Sequence, residues 1–313
     1  MSRYLDPTND VSFRKLFGTK EHQHLLISFL NSTLCLEGKR QIKTVELLPK
    51  DQAPLVKETK SSILDIKCTD ERNIQYIVEM QNKKVPAFIK RTQFYVAHSY
   101  VTQFPAGSDY VALKPIILLA IANHELFPGK KQVISYHKTL DVDTLEHDLE
   151  DMAYAFIELP KFTKNEDELV TLQDKWLYFF KNWNQSTEVP PQIQEAELLE
   201  AYRSMEEYNW NQAEREAYIK ANIALTDEYD LRRKERAEGL QEGLQKGLQE
   251  GLQKGLQEGL QKGLQEGLQK GLQKGKQEKA VEITLELLRQ GLSAQEVLAA
   301  TGLSVDEINS LDS

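Results

Sequence analysis

Two carboxylates on neighbouring predicted strands have the type and spacing of a metal-binding pair. Asp65 and Glu79 lie in residues 61–84, where apolar and polar side chains alternate on both sides of a polar turn at residues 69–73. This period of two predicts an antiparallel hairpin. In that hairpin Asp65 lies opposite or diagonal to Glu79, with Cβ atoms roughly 5–7 Å apart. Carboxylate oxygens at such a separation can share a hard cation such as Mg²⁺.

The alternation also predicts which side chains share a face of the hairpin. The even positions are almost purely apolar: Leu64, Ile66, Cys68, Ile74, Tyr76, Val78 and Met80. The odd positions hold most of the polar groups: Ile63, Asp65, Lys67, Gln75, Ile77, Glu79, Gln81 and Lys83. We expect the even face to be buried and the odd face to be exposed. On pattern alone, paired acids are more often a solvated face than a site.

A family resemblance favours the site. Asp65 followed by Glu79-Met80-Gln81 resembles the D…(D/E)xK signature of the PD-(D/E)XK nuclease superfamily, and specifically its recombination-promoting nuclease (Rpn) and transposase family, where the lysine position is often glutamine. Four further segments are similar to the family in order and approximate spacing: NDVSFRKLFG at 9–18, RTQFY at 91–95, PII at 115–117 and FIELPKF at 156–162. The likeness covers most of residues 1–230.

The resemblance implies a metal-dependent DNA endonuclease that promotes recombination. Asp65 and Glu79 are then the metal ligands, holding an ion that acidifies a bound water and polarises the scissile phosphate. Gln81 occupies the lysine position without the positive charge, so the alternative is a catalytically weak or inactive nuclease-fold protein for binding and oligomerisation. Asp10 is an additional catalytic candidate, and its alternative role is to cap a helix.

Four residues are candidates for contacting DNA. Lys67 and Lys83 share the odd face and could supply the cation that Gln81 lacks. Arg91 and Tyr95 lie four positions apart on the helix that follows the hairpin, a spacing that would direct both towards the substrate side of the sheet.

The remaining pattern predicts a coarse α/β core followed by an α-helical region. The family resemblance implies that this core is a PD-(D/E)XK restriction-endonuclease-like mixed sheet flanked by helices. Strands are predicted at 42–48, 115–122, 132–137 and 154–159. A short helix capped by Asn9 or Asp10 and stopped by Gly18 is predicted first, followed by helices at 23–34 and 86–103. A polar loop at 50–60 is positioned to gate the site. We expect a nuclease-like core at 1–162, a helical accessory region at 163–237, a repeat at 238–276 and a C-terminal helical interaction unit at 277–313.

Charge, cysteine content and hydropathy narrow the setting. The net charge is −9, but residues 1–130 hold 18 basic and 13 acidic side chains, so the predicted site lies in a part of the chain with an excess of five positive charges. That excess favours the approach of DNA phosphates. Two cysteines give no disulfide framework, and no apolar run reaches the ~20 residues of a bilayer helix. We expect a cytoplasmic protein with no membrane partner.

Residues 239–275 are a tetrapeptide array of Gly-Leu-Gln-Glu and Gly-Leu-Gln-Lys containing ten of the 16 glycines. Glutamate–lysine pairs four residues apart favour a long helix, whereas glycine opposes it at about 1 kcal/mol per residue. We therefore expect the helix to form together with a partner helix, making the chain a homo-oligomer through the repeat and the C-terminal helices. The alternative is a flexible or solitary spacer.

Overall fold

The computed structural model describes residues 3–49, 51–52, 62–103, 109–185 and 187–311. The α-helices are α1 (Asp10–Phe17), α2 (Gln23–Thr33), α3 (Phe88–Val101), α4 (Leu172–Asn182), α5 (Ala196–Met205), α6 (Gln212–Arg289), α7 (Ala294–Thr301) and α8 (Val305–Leu311). The strands are β1 (Val45–Leu47), β2 (Asp51–Gln52), β3 (Ser62–Ile63), β4 (Ile66–Asp70), β5 (Gln75–Gln81), β6 (Ile116–Ala122), β7 (Ile134–Lys138) and β8 (Met152–Glu158). Most of the predicted gating loop, residues 53–60, lies outside the described residues.

The chain divides into two compact units, Met1–Asp227 and Glu228–Ser313. The division into four segments expected from the sequence stays a prediction. The first unit contains a six-stranded sheet in the order β1-β4-β5-β6-β8-β7. Strands β5, β6 and β8 run parallel, and the other pairings in this sheet are antiparallel. The predicted mixed α/β sheet is therefore confirmed.

The central hairpin forms in the predicted register. Ile66 pairs with Val78 and Cys68 with Tyr76, so the same register continued by one residue places Asp65 opposite Glu79. The turn is shorter than predicted because β4 continues to Asp70. The Asp70 side chain accepts the backbone N–H groups of residues 72 and 74 at 2.9 Å each, which fixes the turn.

Helices cover both faces of the sheet. On one face, α1, α2, α4 and α5 bury an aromatic cluster in which the Phe17 and Phe29 rings stack with their centres 5.1 Å apart. The even-numbered strand residues from Ile66 to Met80 face this cluster, as predicted. Such a cluster contributes much of the hydrophobic stabilisation of the domain.

The expectation of an exposed odd face is wrong, because α3 covers that face. Ile77 is fully buried in a second core with Phe88 and Val96 of α3. Leu64 belongs to this second core rather than to the even face, since the chain bends at Asp65 between β3 and β4. Parity predicted which residues share a face of a strand, but the layer that packs on each face depends on helices distant in sequence.

In its described part, the second unit, residues 228–313, consists of helices joined by short turns. It contains most of α6, including the whole repeat, followed by α7 and α8. Gly291 and Gly302 end α6 and α7 with φ angles of 84° and 72°, a conformation that favours glycine. Val297 and Ile308 bury the small contact between α7 and α8. None of the described helices combines the length and apolarity needed to span a bilayer.

Candidate active site

Asp65 and Glu79 lie together at the end of the β4–β5 hairpin, each bonded to the backbone of the opposite segment. The backbone N–H of Asp65 donates to Glu79 Oε1 at 3.2 Å, and the N–H of Met80 donates to Asp65 Oδ2 at 2.9 Å. Only 8% of Asp65 and 5% of Glu79 is exposed. These reciprocal bonds fix both carboxylates where water has limited access.

Burial and mutual repulsion make this pair hold a proton unusually strongly. Burial, followed by the charge of Asp65, raises the pKa of Glu79 to about 8. The Asp65 N–H bond and the cations Arg91 and Arg14 oppose this rise. Two carboxylates in one poorly solvated site cannot easily both ionise, so the pair retains a proton near neutral pH.

Both the nitrogen and the oxygen of the Gln81 side-chain amide are hydrogen-bonded. Its Nε2 donates to the backbone oxygen of Lys83 at 2.7 Å, and its Oε1 accepts from Arg91 Nη2 at 2.7 Å. The Arg91 guanidinium also lies over the rings of Phe88 and Tyr95, at 5.4 and 5.8 Å from their centres. Helix α3 thereby places a permanent positive charge at the glutamine side chain.

Helix α1 brings a second arginine into contact with Asp65 and a third acid within electrostatic reach of it. Arg14 Nη2 lies 3.2 Å from Asp65 Oδ1. Asp10 begins α1 one turn earlier, and the helix is capped by Asn9, whose side chain accepts the Val11 N–H at 2.9 Å. Partial burial and then the charge of Asp65 raise the pKa of Asp10. The capping alternative for Asp10 is therefore wrong, because Asn9 performs that function.

The other predicted DNA contacts occupy different environments. Lys67 lies on the same face as Glu79, half-buried, and burial lowers its pKa. Lys83 follows β5 and lies close enough to Asp10 to lower the pKa of that carboxyl. Tyr95 is only 6% exposed, packed in the second core beneath Arg91. Its contact with DNA stays a prediction, while its packing role is evident.

The carboxyl ends of the three parallel strands meet at this edge of the sheet. Gln81 is level with Ala122 on β6, which is level with Glu158 on β8. Glu158 is fully buried, accepts the N–H groups of Leu126 and Phe127 at 2.6 and 2.9 Å, and pairs with Lys161 Nζ at 2.6 Å. In the FIELPKF segment, the glutamate and the lysine thus anchor the loop beside the site.

A model of the PD-(D/E)XK nuclease family transposases matches residues 7–234. The chain belongs to this family. The match confirms the resemblance drawn from the sequence, and the mixed sheet with flanking helices and a long C-terminal helix is consistent with the PD-(D/E)XK fold. No curated protein and no solved structure matches the chain significantly. Membership of this nuclease superfamily implies a nuclease-type hydrolase acting on nucleic acid.

PD-(D/E)XK nucleases generally use divalent metal ions, and the pair fits such an ion in part. Mg²⁺ is typically bound through only one or two carboxylates and keeps several waters. Asp65 and Glu79 offer that donor set on rigid elements. Within the described ranges, no three His, Cys, Asp or Glu side chains are grouped to hold a metal ion. Asp65 and Glu79 are therefore the two side chains that would hold such an ion.

Arg14 is the site residue that the sequence reasoning missed. Its segment, residues 9–18, is one of those that carry the family resemblance, but the resemblance gives Arg14 no role. The available signal was the spacing of Asp10 and Arg14, four residues apart and so on one helix face. That spacing becomes meaningful only once α1 is known to pack beside Asp65.

Proposed function

We propose that this PD-(D/E)XK family member is a Mg²⁺-dependent DNA endonuclease whose cleavage promotes recombination. The observation that carries the proposal is the buried pair of Asp65 and Glu79, flanked by the Arg91 guanidinium on Gln81. The positive excess in residues 1–130 favours DNA as the substrate.

In this proposal Asp65 and Glu79 hold the divalent ion. When bound, the ion supplies Lewis-acid polarisation of the phosphate and a more acidic water. The raised pKa of Glu79 means that the pair must release a proton before both carboxylates can act as ligands. Ion binding should therefore weaken as the pH falls below about 8.

In this proposal Gln81 and Arg91 together replace the lysine of the D…(D/E)xK signature, with Gln81 supplying a hydrogen-bond donor and Arg91 supplying the positive charge. The amide of Gln81 is oriented by its bonds to Arg91 and to the Lys83 carbonyl, and its second N–H can donate to the attacking water or to a phosphate oxygen. Arg91 contributes a positive charge that stabilises the charge developing on the phosphate. This division is the argument against the alternative of an inactive relative.

Cleavage of supercoiled plasmid tests the proposal. The full chain should nick the plasmid with Mg²⁺ and should not do so with excess chelator. Asp65→Asn should abolish nicking, whereas Glu46→Gln, which changes an exposed acid on edge strand β1, should leave it unchanged. Equal nicking by Asp65→Asn and the parent would remove the site assignment. An inactive parent with Mg²⁺ would favour the binding alternative.

We further propose that residues 228–313 self-associate. All nine repeat leucines, from Leu240 to Leu272, are 60–75% exposed. A Cβ on any repeat glycine would meet no atom of the described residues within 4 Å, apart from its own stretch of helix. Ten glycines each cost a helix about 1 kcal/mol relative to alanine. A partner helix that buries leucines would offset this cost.

The repeat geometry indicates how such helices would meet. Four residues turn an α-helix by about 400° and raise it by about 6 Å, so the leucine stripe rotates about 40° per repeat and circles the axis in roughly 54 Å. A repeat longer than 3.6 residues implies right-handed winding, and glycine every fourth residue permits close backbone approach. Light scattering should show a larger assembly for the full chain than for a version ending at Glu238. Equal assemblies would mean that the repeat is a spacer.

We also propose that the protein acts in the cytoplasm. A cytoplasmic location would give access to DNA and keep Cys35 and Cys68 reduced, in keeping with both being free thiols.

A further inference from the structure

Arg14 occupies an oxygen that a metal ion would need. Asp65 Oδ2 already accepts the Met80 N–H, so Oδ1 is the more available oxygen of this carboxylate. Arg14 Nη2 donates to that Oδ1 at 3.2 Å. A guanidinium and a divalent cation repel each other and cannot both sit on one oxygen at close range.

The ion pair between Arg14 and Asp65 has the geometry of a contact in which another cation could replace the arginine. Its length exceeds the roughly 2.7–2.9 Å typical of charge-assisted hydrogen bonds, and it uses a single nitrogen. The Arg14 side chain is 42% exposed. By contrast, Glu158 and Lys161 in the same unit are 2.6 Å apart and nearly inaccessible, as expected of a permanent pair. The Asp65 side chain is only 12% exposed, so solvent reaches this pair from the arginine side alone. A long pair that is open to solvent on one side should exchange more readily than a short pair buried on both sides.

Arg14 is also incompletely satisfied where it lies. Its Nε is buried and has no hydrogen-bond partner among the described residues. Asp10, one turn earlier on α1, is close enough for Arg14 to lower its pKa. The backbone of Arg14 is held in helix α1, whereas its guanidinium makes one long hydrogen bond and keeps an Nε–H donor without a partner among the described residues.

We propose that Arg14 is a phosphate-binding residue that Asp65 holds until a divalent ion takes its place. In the metal-free chain the guanidinium neutralises Asp65. Ion binding at Asp65 releases it, and the freed guanidinium contacts a DNA phosphate beside the scissile bond, where its planar donors suit phosphate oxygens. This inference rests on the proposed metal site and adds a residue and an order of events to it.

Two opposite effects follow from removing the Arg14 charge. Arg14→Gln should tighten divalent-ion binding by roughly three- to tenfold, because one nearby positive charge is lost. The same change should weaken DNA binding and lower the salt slope by about one, as expected for one lost phosphate contact. The loss in DNA binding should occur only with the ion present, because Asp65 otherwise holds the guanidinium.

The test measures Mn²⁺ binding to the full chain without DNA, and duplex binding in Ca²⁺ and in chelator. Arg14→Gln is compared with Lys15→Gln, a matched control that removes the same charge from the next residue. Lys15 instead pairs with Glu214 at 2.5 Å and lies over the Trp210 ring. The control should leave Mn²⁺ affinity within about twofold of the parent.

The outcomes separate this inference from the proposed function. Tighter Mn²⁺ binding by Arg14→Gln, with a reduced salt slope in Ca²⁺ only, supports it. If the parent binds Mn²⁺ and Asp65→Asn does not, but Arg14→Gln binds no more tightly than the parent, the inference is overturned while the metal site stands. If the parent binds no Mn²⁺, or Asp65→Asn binds equally well, the metal site itself fails and the inference fails with it.

Discussion

Replacing Glu79 with glutamine should remove a specific pH dependence of stability from the metal-free chain. Glu79 is buried beside Asp65, and its pKa is raised from 4.5 to about 8. Between these values the folded chain keeps a proton that the unfolded chain releases, so stability falls as the pH rises from about 4.5 to about 8. Glutamine keeps the shape of the side chain and the acceptor for the Asp65 N–H but has no proton to lose.

The size of the effect follows from the pKa change. Each pKa unit corresponds to about 1.4 kcal/mol, so the shift of Glu79 sets an upper bound of roughly 5 kcal/mol. Sharing of the proton with Asp65 reduces this bound, and we expect about 2–4 kcal/mol. Glu79→Gln should therefore match the parent near pH 5 and exceed its stability by that amount near pH 9. For a unit of this size the gain corresponds to roughly 4–16 °C in Tm.

Urea unfolding of both proteins in chelator, from pH 5 to pH 9, measures this difference. Groups other than the carboxylate pair titrate alike in parent and variant and cancel. Glu46→Gln controls for removing an exposed acid and should follow the parent at every pH. Parallel curves for Glu79→Gln and the parent would refute the reasoning, as would a stability gap that is largest at low pH.

Three further outcomes are expected. Arg91→Gln should reduce the cleavage rate by roughly 10- to 100-fold, and adding Gln81→Lys should restore part of that rate by returning a positive charge. A double variant that cleaves no faster than Arg91→Gln would contradict the idea that Gln81 and Arg91 together replace the lysine. Glu158→Gln should lower the free energy of unfolding by about 3 kcal/mol, because it leaves the buried ammonium of Lys161 without its carboxylate partner. A loss below ~0.5 kcal/mol in urea unfolding would contradict this. Alanine at all ten repeat glycines should raise helicity by circular dichroism yet weaken association in light scattering, whereas unchanged association would exclude a close glycine interface.

Local sequence pattern predicted the hairpin well because a strand's period of two is a property of adjacent residues. Asp65 and Glu79 could be placed across from each other on that basis alone. The burial of the odd face could not be predicted from the hairpin alone. Ile77 is the main apolar residue of that face near the site, and the side chains that bury it come from α3.

The cations of the site show the limit most clearly. The alternation of the strands predicts Lys67 and Lys83 as the cations of the site, because both share the hairpin with the carboxylates. In the structure, Arg91, which helical spacing already directs towards the substrate side, bonds to Gln81. Arg14, whose role was not predicted, contacts Asp65 from 51 residues away. Such pairings depend on how helices dock against the sheet, which side-chain periodicity does not encode.

The most direct test of the central claim is oxygen transfer from solvent to the cleaved phosphate. The full chain is incubated with duplex DNA and Mg²⁺ in ¹⁸O-labelled water, and the phosphate ends are analysed by mass spectrometry. Hydrolysis at the Asp65–Glu79 site predicts one ¹⁸O per cleaved bond, and no labelled ends with Asp65→Asn. Cleaved ends without label, or equal labelling by Asp65→Asn, would contradict it.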